Sequence, residues 1–205
     1  MGPVLFKGIE LQGGWMGGDG LAFNMRDKVI AEPIGGGVAI ETARLRYDEK
    51  IDIESTVIGG EVDLNLLRLS LEGMKGRWQG GGTLTVDDGV STLLNTGDMP
   101  LHGDFWGFQG KAYWPSFRLR SGPFEATLGP EFRVAWFYEG VHSIQQSPFR
   151  MTDKLDTMVG GIAPRLSLRF ITDRWDVSLN AEPVYIFGGT QGWMFEGTVG
   201  IGYRF

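Results

Sequence analysis

The chain has 205 residues, 42% of them hydrophobic and 12% aromatic, with 33 Gly, no Cys and a formal net charge of −6. That length allows one domain or at most two, and the missing Cys excludes disulfides, thiolate chemistry and Cys metal sites. The acidic balance argues against nucleic acid as a partner, and no stretch approaches the roughly 18 uninterrupted apolar residues of a membrane helix.

Along the chain, period-two alternation marks ten segments, at roughly 4–15, 36–47, 50–58, 61–72, 76–86, 104–120, 123–139, 155–171, 174–187 and 192–205. No helical period of comparable length competes with them. In 123–139, Phe124, Ala126, Leu128, Pro130, Phe132, Val134, Trp136 and Tyr138 oppose Glu125, Thr127, Glu131, Arg133 and Glu139. Segment 174–187 repeats the pattern, with Trp175 to Phe187 opposing Asp176, Ser178, Asn180 and Glu182. Phase changes near 42, 66 and 115 read as β-bulges. Short turns are expected at Asp48-Glu49, Gly73–Lys75, Ser121-Gly122 and Thr172-Asp173, brief links at 59–60 and 188–191, and longer links at 16–35, 87–103 and 140–154. Pro115, Pro130, Pro164 and Pro183 fall inside consecutive segments, where each removes a ladder donor; bulges or a seam that opens would accommodate them.

The last segment, Gly192 to Phe205, places Trp193, Phe195, Val199, Ile201, Tyr203 and Phe205 on one face and Met194, Glu196, Thr198 and Arg204 on the other. A greasy face bounded by aromatic rings and backed by charge suits lipid on one side and a polar lumen on the other. Here the chain resembles bacterial outer-membrane β-barrel proteins, which finish on such a strand with a C-terminal Phe. The resemblance implies a location in the outer membrane of a Gram-negative bacterium, contact with outer-membrane lipid, and recognition by the barrel-assembly machinery. Such proteins carry a signal peptide, and none is visible at Met1-Gly-Pro-Val, so the sequence reads as a mature chain with an added Met.

The expected fold is all-β: a single domain over 1–205 forming a closed antiparallel transmembrane barrel of about ten strands, with eight or twelve also fitting. An even count puts both termini on the periplasmic side and every long link outside. Strand 192–205 should pair with 4–15 to close the wall. All seven Trp take the apolar phase. Trp15, Trp106, Trp136, Tyr138, Tyr185 and Trp193 are expected in an outer aromatic girdle, and Tyr47, Trp78, Trp175, Tyr203 and Phe205 in an inner one, because amphipathic rings prefer headgroup depth.

The other phase is expected to line the lumen with balanced charge. Its acids are Glu10, Glu41, Asp52, Glu54, Asp63, Glu72, Glu125, Glu131, Asp176, Glu182 and Glu196. Its bases are Arg44, Arg46, Arg68, Arg77, Lys111, Arg118, Arg120, Arg133, Arg165, Arg169 and Arg204, with the arginines crowded towards the periplasm. An unpaired buried charge is costly, so balance points to a salt-bridged interior. A plugged or very narrow lumen is favoured over an open one, since small barrels leave room for little beyond side chains. The functional expectation is therefore a non-enzymatic barrel, structural or a narrow path for small polar solutes.

Two other classes compete. An outer-leaflet lipid or peptide hydrolase would draw on loop residues His142, Ser143, Asp87 and Asp88, which match such enzymes in residue type only. A soluble ligand-binding barrel would gather its aromatics mid-strand in a core. No metal-ligand spacing and no phosphate-loop pattern appears, so no cofactor is expected.

Overall fold

A computed structural model of the chain describes residues 6–23, 28–29, 42–64, 66–87, 92–139, 142–146, 149–153 and 156–205. Its strands are β1 (Gly8–Phe23), β2 (Lys28–Val29), β3 (Thr42–Asp63), β4 (Arg68–Asp87), β5 (Thr92–Tyr113), β6 (Phe117–Ser121), β7 (Phe124–Glu139), β8 (His142–Gln146), β9 (Phe149–Asp153), β10 (Asp156–Ile171), β11 (Trp175–Gly188) and β12 (Thr190–Arg204). β1, β12, β11, β10, β7, β5, β4 and β3 neighbour one another in that order, and β1 also pairs with β3. The sheet thus closes on itself as an eight-stranded antiparallel barrel, within the range the sequence pattern allows.

Closure joins the chain's two ends as expected. Gly8 pairs with Arg204 and Leu11 with Ile201. Below them Lys7 N donates to Asp63 O at 2.9 Å, and Phe205 N donates to Lys7 O at 3.0 Å. Both ends of the wall therefore lie on the side of the short turns at 64–67, 122–123 and 172–174.

The ten-segment division is revised between residues 36 and 103. Asp48-Glu49 and Gly59-Gly60 lie inside β3, and Gly73–Lys75 lies inside β4, where Gly73 pairs with Ile58. The chain turns instead at 64–67, so the phase change near 66 is a hairpin and not a bulge. The supposed loop 87–103 is largely strand, since β4 runs to Asp87 and β5 starts at Thr92. The phase change at 115 is a bulge: Tyr113 pairs with Glu131, but Phe117 pairs with Leu128. Near 42 the strand begins at Thr42, and residues 30–41 lie outside the described ones. The 140–154 link carries a hairpin of its own, β8–β9.

The prolines have specific places. Pro130 O accepts from Trp114 N at 2.9 Å, so the missing donor of Pro130 faces the bulge that holds Pro115. Pro164 and Pro183 occupy the gap in the β10–β11 ladder, which runs from Val159 to Ile162 and resumes only at Leu166. In a closed wall, donors can be omitted only where the ladder is already irregular.

Candidate functional site

The interior divides into two layers, and each of the eight wall strands contributes to both. The lower layer is ionic. Lys111 on β5 lies between Glu72 on β4 at 2.9 Å, Glu182 on β11 at 3.4 Å and Glu196 on β12, its closest partner. Arg133 on β7 meets Glu131 and Glu196, each at 2.6 Å, and also contacts Glu182. Arg165 on β10 reaches Glu61 on β3 at 2.7 Å, Glu182 at 3.2 Å and Glu131 at 3.4 Å. Nearer the short turns, Arg169 holds Glu10 on β1 at 2.8 Å and Glu61 at 2.9 Å. Arg68 joins Asp63 at 3.3 Å to Glu125 at 3.6 Å. At the rim, Arg204 binds Asp176 at 2.7 Å. Lys111, Arg133, Arg165, Arg169 and Arg68 each bridge carboxylates from different strands, so the network ties the wall together across the lumen. Removing one member would strand the others in a desolvated interior.

Neutral groups fill the gaps. Gln109 Nε2 donates to Glu72 at 2.7 Å and to Glu196 at 3.0 Å. Ser178 Oγ donates to Glu10 at 2.5 Å. The ring of Tyr113 lies under Arg165, whose guanidinium carbon is 4.8 Å from the ring centroid, and its hydroxyl contacts Thr127 at 3.0 Å. A guanidinium over an aromatic face is an attractive pairing.

One rung above, the interior becomes apolar. Met16 and Leu21 of β1, Ile51, Ile53 and Val57 of β3, Met74 and Trp78 of β4, and Leu101 and Phe105 of β5 form one buried cluster with Ala135 and Phe137 of β7, Val159 and Ala163 of β10, Val184 and Ile186 of β11, and Met194 of β12. The change is abrupt: Glu196 gives way to Met194, Glu182 to Val184, Arg133 to Ala135 and Glu72 to Met74, two residues along the strand in each case. Phe105 and Phe137 stack edge to face, with centroids 5.3 Å apart.

The outer surface has the complementary distribution. Beside the ionic layer it is hydrocarbon: Leu11, Ile58, Leu71, Phe132, Val134, Ile162, Leu179, Phe195 and Ile201 are all exposed. Trp15, Trp106, Trp136, Tyr138, Tyr185 and Trp193 bound this band on one side, with Trp106 against Tyr138 at 4.8 Å and Tyr185 against Trp193 at 5.4 Å. Trp175, Tyr203 and Phe205 bound it on the other, with Trp175 5.1 Å from Tyr203. Trp193 and Tyr203 are ten positions apart on β12. At about 3.3 Å per residue and a tilt near 40°, that spans roughly 25 Å, the height of a barrel's apolar band. Charge inside, hydrocarbon outside and two aromatic girdles make this a transmembrane barrel.

Several expected positions are corrected. Arg77, expected in the lumen, has a side chain 75% exposed on the outer surface, 3.3 Å from Glu54. Asp52 and Glu54 also face out, while Ile51, Ile53 and Trp78 face in. Trp78 is therefore not a girdle residue but part of the apolar layer. The cause is that β3, β4 and β5 continue past the outer girdle, where water replaces lipid. There the polar face of the alternation turns outward and the apolar face inward. Arg118 and Arg120 are exposed for another reason: β6 pairs only with β7, beyond the end of β4, so no neighbouring strand covers their inward side.

Of the other residues assigned to the lumen, Arg68, Lys111, Glu131, Arg133, Arg165, Arg169, Glu182 and Glu196 point inward and are buried. Asp63 is nearly so, and Arg204 sits half-covered at the rim. Glu61, absent from the lumen residues expected above, also lies in the network, touching Arg165 and Arg169; it shares the phase of Asp63, which is its signal in the sequence. Glu41 and Asp88 lie outside the described residues, as do the side chains of Arg44, Arg46, Tyr47, Asp87, His142 and Ser143. His102 is exposed on β5, part of the wall's extension and not of a loop.

No family model matches the chain, and no curated protein matches it. Among solved structures, it is similar to Neisserial surface protein A (TM-score 0.45, 10% identity, covering 96% of this chain and 97% of that one). It is also similar to the N-terminal β-barrel domain of Pseudomonas aeruginosa OprF (0.41, 9%, 98% and 100%). A third is Ail, the attachment invasion locus protein of Yersinia pestis, solved with the heparin analogue sucrose octasulfate (0.37, 11%, 98% and 100%). All are likenesses of overall shape, and the fold stands on the closure of the sheet itself.

Proposed function

We propose that this protein is a non-conducting barrel of the Gram-negative outer membrane, a rigid anchor that holds the β3–β4–β5 extension and the outer links above the outer leaflet. The observation that carries the proposal is the apolar layer lying directly on the ionic one. A hydrated path would have to pass through a packed cluster of Met, Ile, Val, Leu, Phe and Trp drawn from all eight strands. Small barrels fill their interiors with side chains in this way. In this reading, the terminal strand with Phe205 is the segment presented to the barrel-assembly machinery, and outer-membrane lipid covers the apolar band. Planar-bilayer recording of the purified protein is the test. A silent bilayer, with insertion checked independently, is expected; reproducible unitary conductance steps would overturn the plugged reading and favour a narrow solute path.

A further inference from the structure

The closed wall keeps one open edge, at the end of the short turns. β6 continues β5 past the bulge, but β4, the neighbour of β5, begins only at Arg68, opposite Tyr113. Among the described residues β6 therefore pairs with β7 alone. Ile171 N donates to Pro123 O at 2.8 Å, so odd residues of β7 turn their backbone to β10 and even ones to β6. Those even residues, Phe124, Ala126 and Leu128, pair with Ser121, Leu119 and Phe117. Backbone direction alternates along a strand, so the N–H and C=O groups of Arg118 and Arg120 point the other way, to the open side.

The side chains of β6 also divide. Phe117 and Leu119 face lipid, 71% and 76% exposed. Arg118 and Arg120 lie on the lumen side, and both are exposed because no strand covers them. Arg118 is 3.8 Å from Glu125, and Arg120 makes no ion pair among the described residues. An uncovered edge is a template for a further strand. A second copy's β6 would set Arg opposite Arg, which is repulsive. Charge complementarity selects acid instead. We propose that the β6 edge docks an extended segment of a periplasmic protein, added antiparallel, with acidic residues opposite Arg118 and Arg120 and apolar residues beside Phe117 and Leu119. The periplasmic source rests on the membrane placement above; the edge itself holds whether or not the lumen conducts.

Fluorescence anisotropy of the protein in zwitterionic micelles, with a labelled peptide of alternating Val and Glu roughly six residues long, enough to span β6, tests the edge. Saturable binding is expected, and none of a matched Val and Lys peptide. A copy N-methylated at each Glu keeps its charge but loses the donors that would face Arg118 and Arg120, and should bind about tenfold more weakly. The double variant Arg118→Gln, Arg120→Gln should weaken the unmethylated peptide by about tenfold, from two exposed charge pairs together. The amides of Arg118 and Arg120 should exchange rapidly in the free protein and slow on binding, while that of Leu119 is slow throughout. Heat-shifted electrophoresis checks folding of the variant, and the N-methylated peptide, which needs no variant, decides the matter if it does not fold. No binding by the wild type up to about 1 mM peptide, equal binding of the N-methylated copy, or binding that survives loss of both arginines would overturn the proposal.

Discussion

Pro164 and Pro183 face each other across β10 and β11 where two residues would ordinarily exchange both ladder hydrogen bonds. Thr172 N donates to Trp175 O across the same strand pair, so even residues of β10 turn their backbone to odd residues of β11. Proline has no N–H, and neither residue can supply its half of the exchange. The ladder accordingly breaks between Ile162 and Leu166. Both carbonyls lose the donor that the opposite residue would have provided, at mid-height in a wall surrounded by hydrocarbon.

Restoring both donors should therefore stabilise the barrel. In hydrocarbon an unsatisfied backbone group costs several kcal/mol, more than the roughly 0.4–1 kcal/mol lost per site when proline no longer restricts the unfolded chain. The double variant Pro164→Val, Pro183→Val should raise the urea midpoint in lipid vesicles, and amides near Leu166 and Ala181 should exchange more slowly. An unchanged midpoint would show that the carbonyls find other partners.

The strands that cross the membrane were legible because their two faces meet different media along their whole length. β7, β10, β11 and β12 alternate without interruption, and their ends fall close to the expected positions. β3 and β4 were misread for two physical reasons. Glycines that pair within the ladder, such as Gly59 with Glu72 and Gly73 with Ile58, look like turn residues in sequence. Above the outer girdle, alternation still separates two faces but no longer says which is inside, so Asp52, Glu54, Arg77 and Trp78 were assigned the wrong way round. Even where the phase was right, sequence could not show that β6 lacks a second neighbour, which is what leaves Arg118 and Arg120 uncovered.

The ionic layer should be indispensable as a unit. Arg165→Met removes a cation shared by Glu61, Glu131 and Glu182 and leaves three buried carboxylates short of charge. Breaking a buried pair from one side costs about 3–5 kcal/mol. Equilibrium unfolding in vesicles should register that loss. Arg77→Met, at an exposed pair on the outer surface, should lie within error of the wild type. Similar effects from the two substitutions would contradict the placement of either arginine.

Gly200 sits where the wall must make room for the network. A Cβ built there would lie 2.0 Å from Glu10 Oε1 and 2.6 Å from Ser178 Oγ. Gly200→Ala should therefore displace Glu10 from Arg169 and weaken the seam between β1 and β12, visible as loss of the heat-resistant folded band on electrophoresis. Gly110→Ala is the control, since its Cβ would meet nothing within 4 Å on the outer face of β5. If both variants fold equally well, the interior is looser than the distances imply.

The orientation of the barrel can be read from the outer surface because the chain has no native Cys to interfere. Asp104 and His102 are exposed on β5 just past Trp106, on the side of the outer girdle. Single Asp104→Cys and His102→Cys variants should react with a membrane-impermeant maleimide on intact cells. Leu179→Cys, exposed within the apolar band, should stay unlabelled until the membrane is dissolved. Ser121→Cys, at the β6–β7 turn, should react only after the outer membrane is opened to admit reagent to the periplasm. Labelling of Ser121→Cys on intact cells with protection of Asp104→Cys would invert the barrel and with it the assignment of the β3–β4–β5 extension to the cell exterior. Labelling of Leu179→Cys on intact cells would instead remove the band from lipid altogether.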